Sequence, residues 1–327
     1  MRKKILLLFL LIPGILFLSC EKQDDTAIDP LTLDKWITYS TSTGLAGNQV
    51  WDIMIDKDDN VWFATDNGVS KYDGSNWRTY RTRDGLIHNT VYAIEQDRFG
   101  DIWIGTAEGF SIYDGTEFLN YTGTNQNLWE VNSMFQASNG SFWVGTNGHG
   151  TYEFTSEGIY TYYWEDITNL NYAFDIVEDK SKNIWVSTYA GVIRGNAAGL
   201  KLFTTQDGLA TNQIRSLLAD SWDYIWIGTF DAENLNRYNN GKIEDISLNN
   251  GFPTTHVMSM MEDSRGNVWL GTLTVGVTKY DGAVMRTYLT GDGLASDRIL
   301  SLAEDSSGNL WFGTFDEGVT RYTPGMD

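Results

Sequence analysis

Seven tryptophans recur along this chain at near-constant spacing, each opening a Trp-x-small-Thr tetrapeptide. They are Trp62, Trp103, Trp143, Trp185, Trp226, Trp269 and Trp311, separated by 41, 40, 42, 41, 43 and 42 residues. The third position is Ala64, Gly105, Gly145, Ser187, Gly228, Gly271 or Gly313, and the fourth is Thr in every copy. A period of this length marks a supersecondary unit that buries its faces against copies of itself. The 327 residues therefore read as one array, not two unrelated domains.

Each copy reads as four short strands, A to D. Strand A, as in Val50–Asp56 or Ile299–Asp305, is followed by a polar turn such as Asp305-Ser306-Ser307-Gly308-Asn309. Strand B carries the Trp. Strand C, as in Gly68-Val69-Ser70-Lys71-Tyr72, ends at Asp-Gly pairs (Asp73-Gly74, Asp114-Gly115, Asp281-Gly282) suited to two-residue hairpin turns. Strand D, as in Trp77-Arg78-Thr79-Tyr80, leads through a loop that often reads Asp-Gly-Leu. Strand B does not alternate: Ile102/Ile104, Ile225/Ile227 and Val268/Leu270 flank the Trp. A strand buried on both faces reads this way. Blades sandwiched between neighbouring blades have such inner strands, whereas a two-sheet sandwich would alternate. The small residue after the Trp is expected to make room for bulky side chains of the adjacent blade.

The last copy stops after strand C, at Thr323-Pro324-Gly325. Near the start, Trp36-Ile37-Thr38-Tyr39 repeats the pattern of strand D. The expectation is an all-β, seven-bladed propeller of four-stranded antiparallel blades over 36–327, its last blade completed by the N-terminal strand.

The N-terminus reads as an export signal. Arg2-Lys3-Lys4 precedes a stretch from Ile5 to Leu18 that is apolar apart from Gly14 and too short to span a bilayer. Phe17-Leu18-Ser19-Cys20 places the single Cys of the chain after a small residue. This resembles a bacterial lipobox, in which the Cys is diacylated and becomes the new N-terminus. Residues 1–19 are read as a lipoprotein signal peptide and 20–35 as an acidic tether. The acidic run after Cys20 resembles the surface-export signal of some Gram-negative lipoproteins, which implies an outer-membrane lipoprotein, periplasmic or surface-facing, held by its lipid alone. Loss of Arg2, Lys3 and Lys4 leaves 20 basic against 43 acidic residues, a net charge of −23. With no basic run, nucleic acid is excluded as a partner.

The pattern Gly-Leu-x-x-Asn-x-Val, Asp-x-x-Gly-Asn-x-Trp-x-Gly-Thr, Gly-Val-x-x-Tyr-Asp-Gly, seen at Asn89–Asp114 and Asn267–Gly282, resembles the two-component-regulator propeller repeat. The resemblance covers about residues 36–322. It implies an extracytoplasmic ligand-sensor propeller of a family often thought to sense polysaccharide breakdown products. This chain shows one propeller and no kinase or output domain, so a sensor role would pass through a partner protein.

The residue 11 before each Trp is expected at the channel mouth: Trp51, Tyr92, Asn132, Phe174, Arg215, Met258 and Leu300. Beside this varied ring lie Glu130, Tyr172, Gln213, His256 and Arg298, and the B-to-C loops add Asp66, Glu108, His149, Tyr189, Asp231 and Asp316. Aromatic faces beside polar groups suit sugar rings. The candidate ligand-binding set is Trp51, Tyr92, Trp129, Asn132, Tyr172, Phe174, Tyr189, Arg215 and His256, for an oligosaccharide or another small ligand. The alternatives are a scaffold for an envelope protein, and a lyase or hydrolase using Glu108 with His149. Neither metal nor cofactor is expected, because the three His lack ligand spacing and Asp56–Asn60 lacks the Gly and distal Glu of a calcium loop. Asn48, Asn89, Asn171, Asn212 and Asp297 are expected to hold turns, and the recurring Thr a bond within each blade.

Overall fold

The computed structural model describes residues 34–122, 129–196, 199–230, 234–246 and 256–325. The signal peptide, Cys20, most of the tether and Asp231 lie outside the described residues. Strands β1 (Lys35–Tyr39) to β28 (Val319–Thr323) form seven four-stranded antiparallel sheets. Blade 1 is β2 (Val50–Ile55), β3 (Val61–Thr65), β4 (Gly68–Tyr72) and β5 (Trp77–Tyr80), its strands A to D. Blades 2 to 6 repeat that order along the chain. Blade 7 pairs its own three strands with β1, which lies antiparallel to β28 with Trp36 opposite Tyr322. Trp36 stacks on Tyr322 with ring centroids 4.2 Å apart and meets Tyr288 of blade 6 at 5.6 Å. The N-terminal strand starts one residue earlier than the sequence suggests.

Strand B is buried along its whole length in six blades, and in blade 4 all but its first residue is. The small residue has the expected cause. A Cβ on Gly105 would stand 2.5 Å from Val131 of the next blade. On Gly271 it would meet Ile299 at 2.8 Å, and on Gly313 it would meet Val50 at 2.9 Å. Real Cβ contacts do not come so close, so in the five blades with Gly here the first residue of the following strand A is seated against bare backbone.

Two hydrogen-bond systems repeat around the ring. In six blades an Asp in the A-to-B turn accepts the indole N–H of the Trp, as Asp56 does from Trp62 at 2.8 Å. Asp56 also accepts from Asn60, so its carboxylate is occupied in holding its own turn. The turns are also tied blade to blade. Backbone N–H groups of Lys57, Arg98, Ser138, Lys180, Ser221, Ser264 and Ser306 donate to side chains of the next blade, the last to Asp59 of blade 1. Asn48, Asn89, Asn171, Asn212 and Asp297 accept backbone N–H groups seven residues upstream at 2.7–2.9 Å. The recurring Thr hydroxyl donates to a backbone carbonyl three to five residues on, as Thr65 does to Gly68 at 2.7 Å.

Closure through β1 carries a testable cost. Trp36→Ala removes a ring that packs against two blades at the seam and is expected to destabilise the propeller by about 2–4 kcal/mol. Urea unfolding should show a lower midpoint; an unchanged midpoint would mean that β1 does not lock the ring.

Candidate functional site

The channel-lining residues are set by a backbone irregularity repeated in every blade. In blade 1, Val50 opposes Thr65 and Asp52 opposes Ala64, leaving Trp51 without a partner on strand B. The same bulge falls on Tyr92, Asn132, Phe174, Arg215, Met258 and Leu300. A bulge adds one residue and re-aims its side chain. Here all seven bulged residues line a central cavity of about 260 Å³. The expected ring is therefore present.

Rings above this cavity form two clusters. Trp51 meets Tyr92 edge-on at 5.3 Å and Phe315 at 6.4 Å, and the Arg298 guanidinium lies 3.7 Å from the Phe315 ring centre. In the second cluster Tyr189 meets Phe174 at 4.5 Å, Tyr172 at 5.4 Å and Phe230 at 6.3 Å. Phe230 meets His256 at 5.5 Å, and Arg215 lies over Phe174 at 5.3 Å. Thus Trp51, Tyr92, Tyr172, Phe174, Tyr189, Arg215 and His256 fall into these two groups. Asn132 lines the channel and donates to the Ala173 carbonyl at 3.2 Å.

Trp129 does not belong with them. It is 8% exposed and stacks on Tyr152 at 4.0 Å inside the blade 2–3 core. It stands in the slot that Asn48 and Asn89 fill in other repeats, where the side chain accepts a loop N–H. Glu108 and His149 share no hydrogen bond or ion pair. Glu108 is exposed, and the His149 Nδ1 is buried without a partner. The geometry does not assemble them as an acid–base pair.

Sequence reasoning missed Phe230 and Phe315. Both directly follow the recurring Thr, a slot that also holds Asp66 and Tyr189. It also missed the acids beneath the mouth. Asp52 accepts the N–H of Ile53 at 2.8 Å and of Ile94, in the next blade, at 2.9 Å. Asp175 does the same with Ile176 and Leu217. Burial pushes Asp52 up to about 7, against the pull of those two hydrogen bonds. Asp175 rises to about 6 for the same reason. Glu95 rises to about 8 through burial and the nearby Asp52 charge. Burial draws the Arg215 guanidinium down, opposed by Asp175. The narrow channel leaves these groups a little exposed area while protein surrounds them on all sides, which fixes the direction of each shift.

The repeats match the two-component regulator propeller at residues 44–67, 85–108, 208–231, 251–274 and 293–316. Five of the seven repeats are thus two-component regulator propeller repeats. No curated protein matches it. Among solved structures it is similar to the extracellular domain of the hybrid two-component system BT3049 of B. thetaiotaomicron. Identity there is 22% and the TM-score 0.78, over 88% of this chain and 41% of that one. It is also similar to a virginiamycin B lyase of Staphylococcus aureus, with 14% identity, TM-score 0.73, and 89% and 99% of the two chains covered. A third is PorZ, a surface component of the type-IX secretion system of Porphyromonas gingivalis. There the identity is 13% and the TM-score 0.68, over 88% and 47% of the chains. This propeller spans less than half of the BT3049 domain, and identities this low establish the fold alone.

The raised carboxyls predict a pH dependence with a definite sign. A carboxyl with a folded pKa above its unfolded value stabilises most below the unfolded value, and that contribution is lost as pH rises through the folded one. Asp52, Glu95 and Asp175 therefore favour folding near pH 4–5 and cease to do so by about pH 8. Glu95→Gln should reduce the fall in melting temperature between pH 5 and pH 8.5 by roughly 3–5 °C. An identical pH profile in wild type and variant would show that Glu95 is not held protonated.

Proposed function

We propose that this propeller is an exported, lipid-anchored binding module that takes the end of an oligosaccharide at its channel mouth, without catalysis. The observation that carries this reading is the pair of aromatic clusters, around Trp51 and around Tyr189, flanking a polar channel that holds Arg215 and three carboxyl groups. Sugar rings have apolar faces and polar edges, and such a mouth meets both. The charge of the chain favours neutral over sulfated or uronate-rich glycans. Export and anchoring rest on the signal-like stretch ending at Cys20. The two-component relatives suggest that occupancy of this mouth is reported to a partner in the envelope.

Isothermal titration of the mature chain against neutral oligosaccharides tests the reading. One glycan class is expected to bind saturably, and Trp51→Ala or Tyr189→Ala should weaken it at least tenfold. Trp129→Ala should instead lower the melting temperature and leave the affinity of the folded protein within about twofold. Binding that survives the loss of both Trp51 and Tyr189 would move the site away from the mouth.

A further inference from the structure

Blades 3 and 4 depart from the repeat at three positions, and Trp143, Thr151 and Gly195, the residues these departures affect, line one cleft on the side of the ring. The first is the indole partner. Where six blades place Asp56, Asp97, Asp179, Asp220, Asp263 or Asp305, blade 3 has Ala137. Trp143 is 8% exposed, and its Nε1 is buried with no hydrogen-bond partner. The second is the residue after the glycine that opens strand C. Val69, Phe110, Val192, Val277 and Val319 are apolar there, but blade 3 has Thr151. Thr151 is 2% exposed, and its hydroxyl is also buried without a partner.

The third departure is a missing ring. In the other six interfaces, the aromatic residue ending strand C packs on the Trp of the preceding blade. Tyr238 lies 4.8 Å from Trp185, Phe154 lies 5.5 Å from Trp103, and Tyr113 lies 6.3 Å from Trp62. Trp226, Trp269 and Trp311 receive Tyr280, Tyr322 and Tyr72 in the same way. Blade 4 has Gly195 at this place, so no such ring from blade 4 covers Trp143. What remains is a cleft of about 410 Å³, walled by Trp143, Tyr162, Trp164, Thr151, Ile184 and Ile193. All five segments matched by the family lie in blades 1, 2, 5, 6 and 7, so both flanking repeats are divergent.

A cleft left by one missing ring and one missing acceptor is complementary to a ligand that supplies both. We infer that the blade 3–4 cleft binds a small planar aromatic compound carrying a neutral oxygen acceptor, in the place of the absent tyrosine ring. The ring would meet Trp143 at a steep angle, as the aromatic rings do in the other interfaces, and the oxygen would accept from the Trp143 indole or the Thr151 hydroxyl. A carboxylate suits the cleft poorly. Glu153 on its wall already accepts the Tyr162 hydroxyl at 3.0 Å, and Lys182 already pairs with Glu178 at 3.9 Å. The size falls within the range of small-molecule sites. This cleft is separate from the channel mouth and shares no lining residue with it.

The test uses the mature chain labelled with 15N at its indole nitrogens, with the Trp143 resonance assigned by its loss in Trp143→Phe. The probe is 4-hydroxybenzamide, with 4-hydroxybenzoate as the charged comparison. A saturable shift of the Trp143 resonance is expected, with the Trp51 resonance unmoved and the benzoate at least tenfold weaker. The double variant Ala137→Asp/Gly195→Tyr restores the pattern of the other blades. A Cβ at Gly195 meets only a Leu200 methyl at 3.0 Å and the Ile184 carbonyl at 3.9 Å, so the ring can be accommodated. That variant should melt at or above the wild-type temperature and lose the response. If it does not fold, Ala137→Asp alone should weaken the response at least tenfold. No saturable shift in the wild type, or an undiminished response in the folded variants, overturns the proposal and leaves the cleft as a packing defect filled by water.

Discussion

The ring depends on one close approach, the first residue of each strand A lying against the backbone of strand B in the preceding blade. Val131 can sit beside Gly105, and Ile299 beside Gly271, only because strand B carries no large side chain there. That contact sets the spacing of the blades. It also sets the site, because the residue that makes it is followed at once by the bulge. Val50 is pinned against blade 7, and the extra residue, Trp51, is turned into the channel. The same backbone step thus packs one residue into the wall and turns the next into the channel. Variation at the bulge costs the fold little, which is why Trp51, Tyr92, Asn132, Phe174, Arg215, Met258 and Leu300 can differ so widely.

The architecture was legible because it is periodic. Trp62 and its six counterparts mark strand B, and the apolar residues on both sides of them exclude a one-sided sheet. The N-terminal strand D was legible because Trp36-Ile37-Thr38-Tyr39 repeats Trp77-Arg78-Thr79-Tyr80. The mouth ring was legible from its fixed distance to the Trp. The bulge that aims it was not, since one unpaired residue in a six-residue strand leaves no mark on hydrophobic pattern. Trp129 was misplaced for a related reason: an aromatic residue next to a mouth position looks like part of the mouth, yet it packs on Tyr152 in the core between blades 2 and 3. The channel acids were missed because strand A alternates, and Asp52, Glu95 and Asp175 become neighbours only when separate blades converge on the axis.

The charge of these acids and the charge of the whole chain act in different places. The surface carries most of the acidic excess in water, where screening limits its reach to about 10 Å. Asp52, Glu95 and Asp175 are enclosed, so their protonation is governed first by burial, opposed at Asp52 and Asp175 by backbone hydrogen bonds and Arg215, and reinforced at Glu95 by the Asp52 charge. A neutral ligand at the mouth, as proposed, would displace water from the same channel and raise the cost of charging it further. Ligand binding and proton uptake there are linked in one direction: whatever dries the channel favours its protonated acids.

A repeat array makes a site wherever a copy fails to follow the others. At the mouth, the failures are spread over seven blades and fall on bulged residues that line the channel instead of the packed interface between blades. In the blade 3–4 interface the failures are concentrated, and they remove a ring and an acceptor from a packed wall. Burial of the Trp143 N–H and the Thr151 hydroxyl without partners costs stability, about 1–3 kcal/mol for each unsatisfied group. The remaining interfaces show the arrangement that avoids that cost, with an Asp on the indole and an aromatic residue over it. Drift alone would be expected to lose these features singly and at scattered positions. Their joint absence around one Trp, with the apolar strand C residue also exchanged for a hydroxyl, gives a cavity whose walls already have the shape and the donors that one substituted ring would satisfy.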